Sequence, residues 1–112
     1  MPSVLLVDDD EDTRALLAIA LAKRGFEVAQ ARSVADAVER FRAWPTDVLV
    51  IDLGLPDGHG ADVLRLLGSG APPAIALTGR DPEPGPFRAH LVKPVTVAAL
   101  ADALRKLLQT LD

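Results

Sequence analysis

Five acidic residues stand in a row, Asp8, Asp9, Asp10, Glu11 and Asp12, directly after the apolar run Val4-Leu5-Leu6-Val7. An apolar run of that length reads as a buried strand, and acid at its end must be held by something. A second run, Val48-Leu49-Val50-Ile51, ends in Asp52, and a third, Ala74-Ile75-Ala76-Leu77, ends in Thr78. If the three strands lie side by side and parallel, Asp8, Asp9, Asp52 and Thr78 reach one edge of one sheet. Carboxylates clustered there suggest a divalent cation site. Each residue also has a structural role open to it. Acidic residues after a strand cap helices, and one of Asp10, Glu11 or Asp12 is expected to do so. Thr78 can serve as a turn residue, Asp57-Gly58 is expected to be a turn and nothing more, and His59, alone in a loop, is expected to face solvent.

The elements that would position these residues alternate along the chain. Residues 11–24 carry Ala15, Leu16, Ile19, Leu21 and Ala22 at roughly helical spacing, and Gly25 supplies the stop. Residues 26–30 read as a short strand. Ser33 is an N-cap for a helix over 34–43, with Val34, Ala37, Val38 and Phe41 on one face, and Trp44-Pro45-Thr46 closes it. After Asp52 comes a loop rich in glycine and proline, then a short helix over 61–67 ended by Gly68-Ser69-Gly70. A last amphipathic helix, 96–109, repeats Val97, Leu100, Ala101, Leu104, Leu107 and Leu108. Alternation of this kind predicts a parallel sheet with helices on both faces.

Composition narrows the function classes. The 112 residues make one domain, 1–112, with 49% hydrophobic residues and no apolar run near the roughly 18–20 residues that span a bilayer. A soluble protein without a secretory signal is expected, with no membrane partner. The absence of cysteine excludes disulfides and thiolate chemistry and fits a cytoplasmic location. A formal charge of −4 argues against a general nucleic-acid surface.

Four ordered signals resemble the receiver domains of two-component response regulators: Asp8-Asp9 after the first strand, Asp52-Leu53-Gly54-Leu55-Pro56-Asp57-Gly58 after the third, Thr78-Gly79 after the fourth and Lys93-Pro94 after the fifth. The resemblance spans almost the whole chain. It implies the doubly wound α/β fold of CheY and flavodoxin, a five-stranded parallel sheet of order 2-1-3-4-5. It also implies that Asp52 accepts a phosphoryl group from a histidine kinase or histidine phosphotransfer protein. Mg2+ would be held by Asp9, Asp52 and the Gly54 carbonyl, with Asp8 acting through water. Lys93 and Thr78 would meet the phosphoryl oxygens, and the domain would catalyse its own phosphorylation and dephosphorylation without being a conventional enzyme. The partner face implied is the first helix around Arg14, Leu17 and Leu21, with Pro94 in the loop after Lys93.

Two departures stand out. Only residues 79–88 separate Thr78 from the strand over 89–92, and they include Pro82, Pro84 and Pro86. A helical crossover needs at least about 10–12 residues, whereas ten extended residues reach up to about 33 Å. The fourth helix of the family pattern is therefore expected to be missing or reduced to a turn, replaced by an extended, polyproline-like segment, with Phe87 filling the gap. The second departure is His90, at the position where many receivers carry a switch tyrosine or phenylalanine, alongside Thr78 as the other switch residue.

Two other classes compete with a phosphorylated receiver. A degenerate receiver would bind a partner without phosphorylation, and magnesium quenching of Trp44 would separate the two if that side chain sensed the site. A phosphohydrolase acting through an aspartyl intermediate would need an acid near the nucleophile, commonly two residues on, where Gly54 stands. No glycine-rich phosphate loop follows the first strand, so nucleotide binding is weaker still. No output domain is expected after the last helix, which implies a stand-alone receiver, a relay or phosphate sink, or a receiver cut from a longer protein.

Overall fold

A computed structural model describes residues 1–79 and 85–109. The elements run β1 (Ser3–Val7), α1 (Glu11–Lys23), β2 (Glu27–Ala31), α2 (Val34–Ala43), β3 (Val48–Asp52), β4 (Gly54–Leu55), β5 (Gly58–His59), α3 (Ala61–Leu67), a 3-10 turn (Gly68–Gly70), β6 (Ala74–Thr78), β7 (Ala89–Val92) and α4 (Val97–Gln109). The main sheet is parallel throughout, in the order β2-β1-β3-β6-β7. Counting its strands alone, this is the expected 2-1-3-4-5 order. The two-residue strands β4 and β5 pair antiparallel as a small hairpin just after Asp52.

Side-chain alternation sends Val4, Leu6, Val48, Val50, Ile75 and Leu77 toward α1 and α4, and Leu5, Val7, Leu49, Ile51 and Ala74 toward α2 and α3. Both faces of the central strands are dry, which is why their sequences are continuous apolar runs without polar alternation.

Register does the positioning. Val7 lies opposite Ile51, Asp52 opposite Leu77 and Thr78 opposite Val92. The next residues along β1 and β7, Asp8 and Lys93, therefore emerge beside Asp52 and Thr78. The Lys93 amide donates to the Thr78 carbonyl at 2.7 Å, extending the β6–β7 pairing to the site.

Local signals are largely realised. Asp10 takes the N-cap position of α1 without a side-chain cap hydrogen bond, its carboxylate accepting from the Thr13 hydroxyl, whereas Ser33 caps α2 by accepting from the Asp36 amide at 3.0 Å. Gly25, at φ +95°, ends α1. β2 starts one residue later than expected, because the Phe26 amide closes α1 on the Leu21 carbonyl and its ring enters the α1/α4 core.

No helix occurs among the described residues between β6 and β7. Residues 80–84, with Pro82 and Pro84, lie outside the described set, so the polyproline-like geometry expected there is not described. Phe87 does pack against the α2/α3 core, half-buried, and its ring meets His90 edge-on at 5.8 Å. Among the described residues, no helix is long and apolar enough to cross a membrane.

Gly60 is where the loop after Asp52 folds back onto β3. A Cβ there would lie 2.7 Å from the Asp52 carbonyl oxygen and 2.9 Å from Ile51 Cγ2, with little freedom to yield. Gly60→Ala is expected to cost about 1–3 kcal/mol in urea unfolding, as overpacking does.

Candidate functional site

Asp8, Asp9 and Asp52 converge at the C-terminal edge of the sheet, with one carboxylate oxygen from each lying within 4.8 Å of the others. Asp8 and Asp52 are buried, and Asp9 is exposed at the rim. Lys93 supplies the counter-charge. Its Nζ donates to Asp52 Oδ2 at 3.0 Å and lies 3.5 Å from Asp8 Oδ2. The other Asp52 oxygen accepts from the Gly54 amide at 3.1 Å. Asp52, Leu53, Gly54, His59, Thr78, Gly79 and Lys93 line a cleft of about 530 Å3 over this corner.

The electrostatics are unbalanced in favour of a cation. Burial pushes the Asp8 carboxyl above its ordinary range, Asp52 adds to the rise, and the Asp10 amide and Lys93 offset only part of it. For Lys93, desolvation is the largest single influence and opposes its charge. Its hydrogen bond to Asp52 and the fields of Asp8 and Asp52 together outweigh it, raising the lysine above its usual value. Asp8 Oδ2 is buried without a hydrogen-bond partner. Three carboxylates facing one ammonium, with one buried oxygen left unsatisfied, fit a hard divalent ion that prefers oxygen donors.

The sequence-predicted residues divide into two groups. Asp8, Asp9, Asp52, Gly54, Thr78 and Lys93 come together, and the Lys93–Pro94 bond is cis. Two residues expected on the partner face are buried instead. Leu17 and Leu21 lie in the α1/α4 core, and the Arg14 guanidinium is spent on internal hydrogen bonds. The large apolar residues that α1 shows to solvent are Leu16, 69% exposed, and Ile19, 57% exposed. Residues 15–22 are apolar nearly all round, so spacing alone did not say which side faces the sheet. Pro94 is exposed, as a surface role requires. Trp44 lies just before β3, at the end of that strand away from Asp52.

Two contacts went unforeseen. Asp57 is more than a turn residue: its carboxylate accepts from the Val34 amide at 2.7 Å and the Ala35 amide at 3.0 Å, tying the loop after Asp52 to the start of α2. Hydrogen bonds from Ala35 and Val34 hold its carboxyl below the usual range. His59 is exposed as expected, yet it borders the cleft, and its Nδ1 accepts from the Ala61 amide at 3.0 Å at the start of α3. The residues Asp57 meets lie more than twenty positions upstream, so no local signal could have revealed the tie.

Residues 4–105 match the family model of the response regulator receiver domain. The photosynthetic apparatus regulatory protein RegA of Cereibacter sphaeroides is 44% identical over 79 residues, covering 69% of this chain and 43% of RegA. The transcriptional regulatory protein KdpE of Mycobacterium tuberculosis is 41% identical over 81 residues, covering 71% of this chain and 36% of KdpE. The chain thus spans less than half the length of these curated relatives. Among solved structures, the response regulator TrrA of Thermotoga maritima, in complex with Mg2+ and BeF, superposes with a TM-score of 0.85 at 24% identity, covering 96% of this chain and 99% of TrrA. At that identity the likeness shows the fold alone.

The raised Asp8 carboxyl sets a pH dependence in the absence of metal. The folded state holds this proton more tightly than the unfolded state, so stability falls as pH rises from the ordinary aspartate range through the raised value. Asp8→Asn is expected to remove that fall and to raise the metal-free urea midpoint at pH 7, read by circular dichroism across pH 3–8.

Proposed function

The chain belongs to the response regulator receiver family, and from that premise we propose that it accepts a phosphoryl group on Asp52 from the phosphohistidine of a histidine kinase or histidine phosphotransfer protein. The observation that carries this reading is the convergence of Asp8, Asp9, Asp52, Thr78 and Lys93 on one corner of the sheet. An Asp52 oxygen attacks phosphorus, an O–P bond forms, and the N–P bond to the donor imidazole breaks, leaving an aspartyl phosphate. Later attack by water on phosphorus releases inorganic phosphate and restores the carboxylate.

Repulsion between a carboxylate and an anionic phosphoryl group opposes the first step. Lys93, already beside Asp52, offers its ammonium to the incoming oxygens, and the Thr78 hydroxyl donates to one of them. Asp8, Asp9, Asp52 and the Gly54 carbonyl would hold Mg2+, which supplies positive charge against the phosphoryl oxygens. His90 serves as the switch partner of Thr78, and any rotation of its ring must give up the contact with Phe87. The domain, residues 1–112, works in the cytoplasm, where the phosphohistidine donor is found.

The kinase or phosphotransfer protein docks on the solvent face of α1, through Leu16 and Ile19, with Pro94 at the rim. An exposed leucine and isoleucine one turn apart on a helix beside the site suit a helix of the partner.

A second reading, a phosphorylation-independent interaction module, draws support from the missing helix between β6 and β7 among the described residues. Intact mass after incubation with acetyl phosphate and magnesium separates the two. A single phosphoryl adduct, absent from Asp52→Asn and from a magnesium-free control, is expected. No adduct, with none of the conformational response to beryllofluoride that an acceptor aspartate gives, would favour the interaction module.

The docking face has its own test. Leu16→Ala with Ile19→Ala is expected to leave acetyl phosphate labelling and stability near wild type while slowing transfer from a phosphorylated kinase at least tenfold. Leu21→Ala, in the core, is expected instead to cost about 2–5 kcal/mol of stability.

A further inference from the structure

Arg14 lies in the early part of α1, two residues past the acidic run, yet it pairs with no carboxylate among the described residues. Its acceptors are neutral. Nη1 donates to the main-chain carbonyl of Asp8 at 2.8 Å, and Nε donates to the Gln30 side-chain oxygen on β2 at 3.1 Å. The Asp8 carbonyl belongs to the peptide that joins Asp8 to Asp9. Holding it restricts ψ of Asp8 and φ of Asp9, the rotations that aim both carboxylates.

The rest of the segment is tied nearby. The Asp8 amide donates to the Ala31 carbonyl at 3.1 Å, and the Asp10 amide to Asp8 Oδ1 at 3.0 Å. Asp9 stands exposed between these anchors.

We propose that Arg14 is a positioning residue for the acidic cluster: its planar fork fixes the Asp8–Asp9 peptide against Gln30 without itself occupying either carboxylate that a divalent cation would use. The inference rests on the metal-dependent reading above. A guanidinium suits the task because two of its N–H groups diverge at a fixed angle and reach two acceptors at once, which an ammonium on a flexible stem does not reproduce. Neutral acceptors matter as well. A bidentate pair with Asp8 or Asp9 would occupy the oxygens the cation needs.

Charge and position act in opposite directions, which makes the proposal decidable. Removing a cation beside three carboxylates should tighten Mg2+ binding if Arg14 acts through its field, and weaken it if Arg14 acts through geometry. Magnesium titrations by calorimetry on wild type, Arg14→Ala, Arg14→Lys and Gln30→Ala are expected to show affinity about tenfold lower in both Arg14 variants, as loss of groups supporting metal ligands commonly gives, and a smaller loss in Gln30→Ala. Tighter or unchanged binding in Arg14→Ala, or wild-type binding in Arg14→Lys, would overturn it.

Amide hydrogen exchange at Asp10 without metal gives a second readout, independent of function. Faster exchange in the variants supports the clamp, and unchanged exchange refutes it. If wild type bound no Mg2+, the proposed function would fail and this exchange alone would decide the clamp. Should Arg14→Ala not fold, Arg14→Lys and Gln30→Ala carry both measurements.

Discussion

Carboxylate oxygens of Asp8, Asp9 and Asp52 within 4.8 Å of one another repel, and burial of Asp8 and Asp52 strips away much of the water that would screen them. Among the described residues Lys93 is the cation that pairs with Asp8 and Asp52, touching both. It arrives there from the far edge of the sheet because β7 pairs with β6, β6 with β3 and β3 with β1. A shift of one residue in any of these registers would turn the strand-end side chains to the other face. The hydrophobic alternation of the strands, which sorts Val4 and Leu6 from Leu5 and Val7, therefore sets the geometry of the charged site as well as the core.

The same dependence explains how the segment between β6 and β7 can vary. Strand β7 is held by its pairing with β6 and by α4 on one face, where Ala89 and Leu91 pack. On the other face Phe87 leans on the α2/α3 core and on the His90 ring. An aromatic side chain carries enough apolar area to cover strand surface that a helix would otherwise cover. Lys93 thus keeps its place through β7 without a helix between β6 and β7 among the described residues. The consequence falls on His90, which is already engaged by another ring.

Much of the fold and of the acidic corner was legible in the sequence, because strand ends are marked by abrupt changes from apolar to polar and helix starts by Ser33 and Asp10. What was hidden depends on side-chain direction or on distant partners. The faces of α1 were unreadable from Leu16, Leu17, Ile19 and Leu21, since a helix apolar all round gives no stripe; only packing against α4 and the sheet decides that Leu17 and Leu21 go in. The start of β2 moved because the Phe26 amide had a better use in closing α1. Asp57 looked like half of an Asp-Gly turn, and its role at the start of α2 follows from tertiary approach alone. Arg14 was expected on a partner face, while its neutral acceptors, one of them a main-chain carbonyl, leave no trace in residue types.

Asp8 shows what the arrangement is built for. A buried carboxylate with a raised pKa and an oxygen lacking a hydrogen bond destabilises the fold that contains it. A neutral side chain of similar shape would pack there at lower cost. On the proposed reading a bound ion would offset that cost, and stability and function would then pull residue 8 in opposite directions. Around it the neighbouring groups are arranged so as not to relieve the strain prematurely: Arg14 takes a carbonyl and an amide, Asp10 takes Thr13, and Lys93 reaches Asp8 only at 3.5 Å while bonding Asp52. The open valence at Asp8 is maintained by where each nearby cation and hydroxyl has been sent.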